Sequence, residues 1–141
     1  MSPEDVEAAR RGPDLMETVR RVCDEWAVGN RRTGADLLHP EVVLTARIPD
    51  GAVISEGPDA IARFMREFLR QWERYWIAPQ EFIDAGGDKI LVVGRQYGAG
   101  AASGLTIDAP LYVLFKFRDG RVIGLRFTPD RQEAFEAAGL E

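Results

Sequence analysis

Two side chains with distinctive chemistry occur once each in this 141-residue chain: the thiol of Cys23 and the imidazole of His39. A single cysteine cannot close a disulfide within the chain, so the cytoplasm is the default expectation for its location. One His and one Cys are also too few for a His/Cys zinc site in one chain, and we expect no cofactor. Any Ser-His-Asp or Cys-His arrangement must use His39. Acid–base chemistry therefore falls mainly to aspartate, glutamate, tyrosine and arginine.

The charge balance excludes several classes of partner. The chain carries 18 Lys and Arg against 23 Asp and Glu, a formal net charge of −5, and its pI is near 5.0. We therefore expect no nucleic acid and no membrane among its partners. No apolar run approaches the roughly 20 residues that span a bilayer. The first residues, MSPEDVE, have neither the basic nor the apolar stretch of a secretory leader, so we expect none.

A break near the start of the sequence divides a short extension from the rest. Ser2-Pro3-Glu4-Asp5 favours the start of a helix, and Gly12-Pro13 is expected to end that helix. We therefore interpret residues 1–12 as an N-terminal helical extension. Residues 13–141 have the length of one ordinary domain.

Helical periodicity predicts three further helices in the first half of the chain. The first is capped by Asp14, with Glu17 three residues later. The third opens at Gly57-Pro58, and its apolar stripe extends to Tyr75 and Trp76. The predicted ranges are 14–28, 32–39 and 57–76.

Elsewhere the pattern has the period of two that is typical of strands. Gly86-Gly87-Asp88 and Arg118-Asp119-Gly120 are typical of hairpin turns. Asp130 with Glu133 predicts the cap of a short C-terminal helix that ends at Ala138. Helices ahead of a long run of strands indicate an α+β fold. The predicted strands are 42–48, 52–54, 81–85, 89–98, 105–117 and 121–128.

Six short stretches, spread over residues 15–140, carry a resemblance to known proteins: 19–30, 37–43 (LLHPEVV), 57–61 (GPDAI), 81–86 (EFIDAG), 117–122 (FRDGRV) and 130–140. Their order and spacing resemble those of the SnoaL-like family of the nuclear transport factor 2-like superfamily. The resemblance implies a cone-shaped half-barrel, in which a strongly bent, mostly antiparallel sheet packs against three helices. It also implies an apolar cavity between a sheet and helices on one of its faces. A homodimer formed through the sheet is expected, with Tyr112 at the interface.

The catalytic residues of this superfamily are mostly absent at the matching positions. The ketosteroid isomerase pattern places its acid–base groups where this chain has Ala46, Val22 and Val113. Of the epoxide hydrolase pattern only the arginine is kept, as Arg95, with Tyr97 in place of the first aspartate. Two hypotheses stay open. One is an isomerase, cyclase or hydrolase that acts by proton transfer on an oxygenated apolar substrate. The other is a non-catalytic ligand carrier or dimeric interaction module.

Strand alternation predicts which side chains enter the cavity once the resemblance has chosen the inner face. On strand 89–98 these are Leu91, Val93, Arg95 and Tyr97, and on the last strand they include Ile123. The cavity is therefore expected to be apolar, with Arg95 and Tyr97 as its polar centre.

The predicted catalytic residues are Arg95, Tyr97 and His39. Arg95 and Tyr97 are expected to bind an anion as a pair, and His39 is expected to act as a pH-sensitive base. Two alternatives stay open for Arg95. It pairs with a carboxylate such as Asp108 or Asp84, or the strand phase is shifted by one and Arg95 lies outside the cavity. The side chains predicted to bind an apolar small molecule are Trp26, Phe64, Phe68, Trp72, Val113, Phe115 and Phe127.

Overall fold

A computed structural model of the chain describes residues 3–28, 35–48, 50–100 and 104–140, with side chains from Leu15 onward. No helix within these ranges is long and apolar enough to cross a membrane. The elements in chain order are α1 (Pro3–Ala27), a 3₁₀ turn (Ala35–Leu37), β1 (Leu38–Ile48), β2 (Gly51–Glu56), α2 (Pro58–Arg70), β3 (Trp72–Gly86), β4 (Lys89–Gly100), β5 (Thr106–Arg118), β6 (Arg121–Thr128) and α3 (Arg131–Ala138).

The strands form one mixed sheet in the order β2-β1-β6-β5-β4-β3. β1 and β6 pair in parallel, and the other neighbouring pairs are antiparallel. β3 to β6 follow one another as a meander, with Asp88 and Asp119 at positive φ in two of the hairpin turns. The sheet is bent and does not close on itself. The predicted α+β fold, with a bent, mostly antiparallel sheet and three helices, is confirmed.

Helices cover both faces of this sheet. α1 and α2 pack on the inner face, where Val19 of α1 and Ile61 of α2 join a core with Val92 of β4. α3 packs on the outer face, where Ala138 joins a second core with Leu91. The expectation that the helices share one face is therefore wrong for α3.

The side chains of β4 that face inward are the ones that were expected to face outward. Ile90 and Val92 belong to the inner core, whereas Leu91 lies in the outer core beneath α3. Arg95 and Tyr97 share the face of Leu91, so their predicted place in the cavity is wrong and the shifted phase is correct. Because helices cover both faces, Ile90, Leu91 and Val92 are all buried, and the strand shows no polar–apolar contrast from which to read the phase.

A bulge near the start of β6 moves Ile123 away from the inner face. Lys116 of β5 pairs with Gly124, but the next pair joins Phe117 to Val122, so β6 has one extra residue. Val122 therefore faces the inner core. Ile123 lies on the outer face beside Lys116, and its predicted inward position is wrong.

α1 is a single helix where two were predicted. It continues from Pro3 to Ala27 through Gly12-Pro13, so the predicted break at these residues is wrong. An interior proline removes one helical hydrogen bond and bends a helix, and it does not by itself end the helix. The division between residues 1–12 and residues 13–141 stays a prediction.

In the described part of the range 32–39, the predicted helix is replaced by a short turn and the start of a strand. Residues 32–34 lie outside the described ranges, the 3₁₀ turn covers Ala35–Leu37, and His39 already belongs to β1. Pro40 also lies on β1, which begins earlier than predicted.

The third predicted helix is too long, because α2 ends at Arg70 and β3 begins at Trp72. Aromatic residues at positions 68, 72 and 75 fit a helical stripe, but aromatic and β-branched residues also favour strands. On β3, Tyr75 and Ile77 alternate into the inner core. Tyr75 is thus a strand residue on the floor of the inner face.

A side-chain cap begins α3, as the sequence predicts. Asp130 Oδ1 accepts the backbone N–H of Glu133 at 3.1 Å. The Glu133 carboxylate accepts hydrogen bonds from Arg47 of β1 at 3.1 Å, from Arg126 of β6 at 3.2 Å and from the Thr128 hydroxyl at 2.9 Å. One glutamate therefore ties α3 to two strands.

Replacing Glu133 with glutamine is expected to cost about 1 kcal/mol of stability at pH 7, and progressively less as the pH falls below about 4. Burial alone would raise the pKa of Glu133, but the hydrogen bonds from Arg47 and Thr128 and the charges of Arg47 and Arg126 bring it below its ordinary value. Such a carboxyl stabilises the fold above its unfolded-state pKa of about 4.3, and the contribution is lost as pH falls through the lower folded-state pKa. Urea unfolding of both forms across this range measures the difference. A pH-independent difference would contradict this role of the charge.

Candidate functional site

An open pocket lies on the inner face of the sheet, between α1 and α2. Its volume is about 790 Å³, which is within the usual range for sites that bind drug-sized molecules. The two helices form its sides, and β1, β3, β5 and β6 form its floor. Most of the lining is apolar, and it includes Val19, Val22, Trp26, Leu37, Leu38, Leu44, Ile61, Met65, Leu69, Ile77, Phe115, Phe117, Val122, Leu125 and Phe127.

Four aromatic rings of this lining lie side by side. The Trp26 ring centre lies 6.0 Å from that of Phe115 and 6.3 Å from that of Phe127, with interplanar angles of 26° and 31°. Phe115 and Phe117 are 6.4 Å apart at 15°. These nearly parallel rings form a continuous aromatic surface suited to a flat apolar molecule. Three of the predicted ligand-binding residues, Trp26, Phe115 and Phe127, thus line the pocket; their binding role stays a prediction.

The other four predicted ligand-binding residues lie behind the lining. Phe64, Phe68 and Trp72 form a second aromatic cluster with Tyr75, in which the edge of one ring of the Phe68–Tyr75 pair meets the face of the other at 5.0 Å. The indole N–H of Trp72 is buried and has no hydrogen-bond partner among the described residues. Val113 is buried in the inner core. Phe68 and Trp72 support the pocket wall, because they pack against Tyr75, which does line it.

Tyr75 is a polar residue of the pocket floor that the sequence reasoning missed. Its hydroxyl donates a hydrogen bond to Oε1 of Gln96 on β4 at 2.8 Å. Interpreting residues 57–76 as one helix concealed it. The usable signal was the alternation of Tyr75 and Ile77 after Gln71, where strand spacing replaces helical spacing.

The remaining polar residues of the lining come from the two helices. Thr18 is contributed by α1, and Asp59 and Arg66 by α2. Asp59 and Arg66 are exposed to solvent, so the charged groups of the lining belong to the mouth. An apolar interior with charges at its mouth can hold an amphipathic or weakly polar molecule.

Arg95 and Tyr97 lie on the outer face, away from this pocket. The Arg95 guanidinium donates two hydrogen bonds to one oxygen of Asp108, from Nε at 3.0 Å and Nη2 at 2.8 Å. Hydrogen bonding to Asp108 raises the pKa of Arg95 further above its already high value. The Tyr97 ring stacks on Trp76 at 5.2 Å, and the Arg74 guanidinium lies 5.2 Å from the Trp76 ring. The alternative in which Arg95 pairs with Asp108 is confirmed.

His39 lies beside the pocket and is not among the lining residues described. Its chain neighbours Leu37 and Leu38 line the pocket. The Nδ1 atom of His39 accepts the backbone N–H of Glu41 at 3.0 Å, which assigns the proton of the neutral ring to Nε2. In this tautomer Nε2 is a donor, so a base role for His39 stays a prediction that the ring geometry does not support.

Cys23 is buried in the inner core on α1. Burial raises the pKa of its thiol to about 12, and the charge of Asp24 adds to this effect. A thiol that stays protonated is a weak nucleophile, so Cys23 fits a packing role. Across the described part of the chain, no three His, Cys, Asp or Glu side chains cluster closely enough to hold a metal ion.

Comparison with known proteins gives one family match. The model of the SnoaL-like domain matches residues 19–125, which is more than half of the chain. No curated protein matches the chain significantly.

Several solved structures share the fold. An NTF2-like protein of unknown function from Burkholderia pseudomallei K96243 is 23% identical, with a TM-score of 0.71 over 87% of this chain and 95% of that one. A candidate SnoaL-like polyketide cyclase from Jannaschia sp. CCS1 is 24% identical, with a TM-score of 0.71 over 92% and 94%. TerC, crystallised with polyporic acid, is 19% identical, with a TM-score of 0.65 over 89% and 98%. At these identities the similarity establishes the fold.

Proposed function

The chain belongs to the SnoaL-like domain family, and on that premise we propose that it binds an apolar, partly oxygenated small molecule in the pocket between α1, α2 and the sheet. The observation that carries the proposal is the pocket, a space of about 790 Å³ with aromatic and aliphatic walls. Removing the apolar surface of a ligand from water supplies the main driving force for such binding.

Two further observations support a ligand that carries oxygen atoms. The Tyr75 hydroxyl, with Gln96 behind it, gives the floor a polar group. Similar folds include a protein crystallised with polyporic acid and a candidate polyketide cyclase. A ligand with an apolar body and a few oxygens matches this lining better than a fully polar metabolite does, since burying unmatched polar groups costs free energy.

The neutral, flat fluorophore 1-aminoanthracene tests this proposal. We expect saturable binding of one molecule per chain, with an affinity in the micromolar range, roughly −7 to −8 kcal/mol. Energy transfer from tryptophan to the bound probe should fall in a Trp26→Phe variant, because Trp26 lines the pocket. A Trp72→Phe variant is the matched control, since Trp72 is not among the lining residues described and packs behind Tyr75. The absence of saturable binding to the wild-type protein would contradict the proposal.

Catalysis of proton transfer, as in an isomerase, cyclase or hydrolase, is the second candidate. The Tyr75–Gln96 pair favours it, because a phenol oxygen that donates its proton to Gln96 can still accept a hydrogen bond from a substrate hydroxyl and orient it. Asp59 is the one carboxylate among the lining residues described, and it lies at the mouth. We therefore place binding ahead of catalysis. The test compares a Tyr75→Phe variant with the wild-type protein on a substrate that the wild type converts. Normal binding with lost activity would support the second candidate. Unchanged turnover would oppose it.

A homodimer is the proposed assembly, in the cytoplasm. Tyr112 is an unsuitable interface residue, because it is buried and its ring packs against Phe135 of α3. The half-buried Trp76 and Tyr97 on the outer face form a better surface, because they lie outside the core that α3 covers. Sedimentation of the wild-type chain and of a Trp76→Glu variant measures this, and a monomeric wild type would oppose it.

A further inference from the structure

Three arginines follow one side of α2 at the spacing of helical neighbours. Arg66 follows Arg63 by three residues, and Arg70 follows Arg66 by four. Consecutive members of the stripe therefore lie close together on the helix surface. None of them forms an ion pair with a carboxylate that the structure describes. Arg63 and Arg70 have Glu67 within helical reach, four and three residues away, whereas Arg66 has no carboxylate at either spacing, so an added anion is most favourable at Arg66.

Arg66 is the member of the stripe that lines the pocket. Arg66 is exposed and lies at the mouth, where its side chain adjoins the apolar lining. Arg63 is on the same helix, is also exposed, and is not among the lining residues described. The two arginines thus differ in their position relative to the pocket.

Asp59 does not cancel this charge. It lies in the first turn of α2, where the partial positive charge of the helix N-terminus stabilises a carboxylate. Arg66 follows seven residues later, about 10 Å along the helix axis. One part of the mouth is therefore cationic, and it adjoins the aromatic and aliphatic walls.

We propose that the ligand is an apolar acid, whose body lies among the pocket walls and whose carboxylate lies at the mouth against Arg66. The inference rests on the proposed function, since it assigns a charge to the ligand of the same pocket. A carboxylate and a guanidinium form charge-assisted hydrogen bonds. The anion-binding role expected of Arg95 from the sequence thus belongs to a different arginine.

Two fluorescent probes that differ in charge and by one methyl group test the inference: 11-(dansylamino)undecanoic acid and its methyl ester. The wild-type protein is expected to bind the acid about fivefold more tightly than the ester at low salt, and this preference should shrink at 1 M NaCl. Arg66→Gln should remove the preference, so that acid and ester bind with similar affinity. Arg63→Gln, the matched control, should keep most of it.

The possible outcomes separate the two proposals. If the wild-type protein binds acid and ester equally, the inference is wrong and pocket binding stands. If Arg66→Gln and Arg63→Gln reduce the preference equally, the assignment to Arg66 is wrong. If neither probe binds and 1-aminoanthracene also fails, the proposed function and this inference are both wrong.

Discussion

Replacing Gly94 with alanine is expected to destabilise the protein by about 3 kcal/mol. Gly94 of β4 pairs with Pro79 of β3, where β3 bulges before Glu81. A Cβ atom at Gly94 would lie 2.5 Å from the carbonyl oxygen of Ala78 and 3.2 Å from the Cα of Pro79. Both obstacles belong to the backbone of the neighbouring strand, so β3 and β4 must separate to admit the methyl group. Urea unfolding measures the loss.

Gly124→Ala is the matched control for this substitution. A Cβ atom at Gly124 of β6 would lie 3.4 Å from the Cβ and Cδ atoms of Lys116, which is close to an ordinary van der Waals contact. The control is therefore expected to change stability by less than about 0.5 kcal/mol. If the two substitutions destabilise the protein equally, the close approach of β3 to Gly94 is not the cause of the loss.

Replacing Ala62 with tryptophan is expected to weaken the binding of 1-aminoanthracene about 100-fold, or roughly 2.7 kcal/mol. Ala62 lies on α2, lines the pocket and is exposed at its mouth. An indole at this position would occupy the space through which a ligand enters and in which it rests. Because the site is exposed, the fold should keep its stability.

Arg63→Trp is the control for the blocked pocket. It adds the same ring to the same helix at an exposed position that is not among the lining residues described. Its affinity for the probe should stay within about twofold of the wild type. Probe binding to Ala62→Trp at wild-type affinity would mean that the probe binds elsewhere, and the proposed site would be wrong.

The sequence predicts the sheet well where local signals suffice. The turns at Asp88 and Asp119 and the cap at Asp130 depend on neighbours within a few residues. The predicted strands near 42–48, 89–98, 105–117 and 121–128 therefore overlap β1, β4, β5 and β6 closely. Local chemistry also explains the cap: a carboxylate three residues before a free N–H can accept it wherever the chain folds.

The sequence fails where the answer depends on what covers a strand. Ile90, Leu91 and Val92 are buried on two faces by different helices, and no local pattern distinguishes those faces. Arg95 tolerates the outer face because Asp108, on the neighbouring strand, accepts its hydrogen bonds. Ile123 is displaced by a bulge that depends on the register between two strands. Tyr75 was missed for a related reason, since an aromatic stripe fits a helix and a strand equally.

The parallel pairing of β1 with β6 has a consequence for how the chain folds. Val43 pairs with Gly124, so closing this seam joins residues about 80 positions apart, whereas each hairpin of the meander closes over a few residues. Contacts of such long range slow folding and form after local ones. The pocket floor crosses the seam, because Leu44 and its partner Leu125 both line it. A ligand bound there would contact both strands of the seam, which is the last part of the sheet to assemble. Ligand binding would therefore stabilise the native state against opening at the seam.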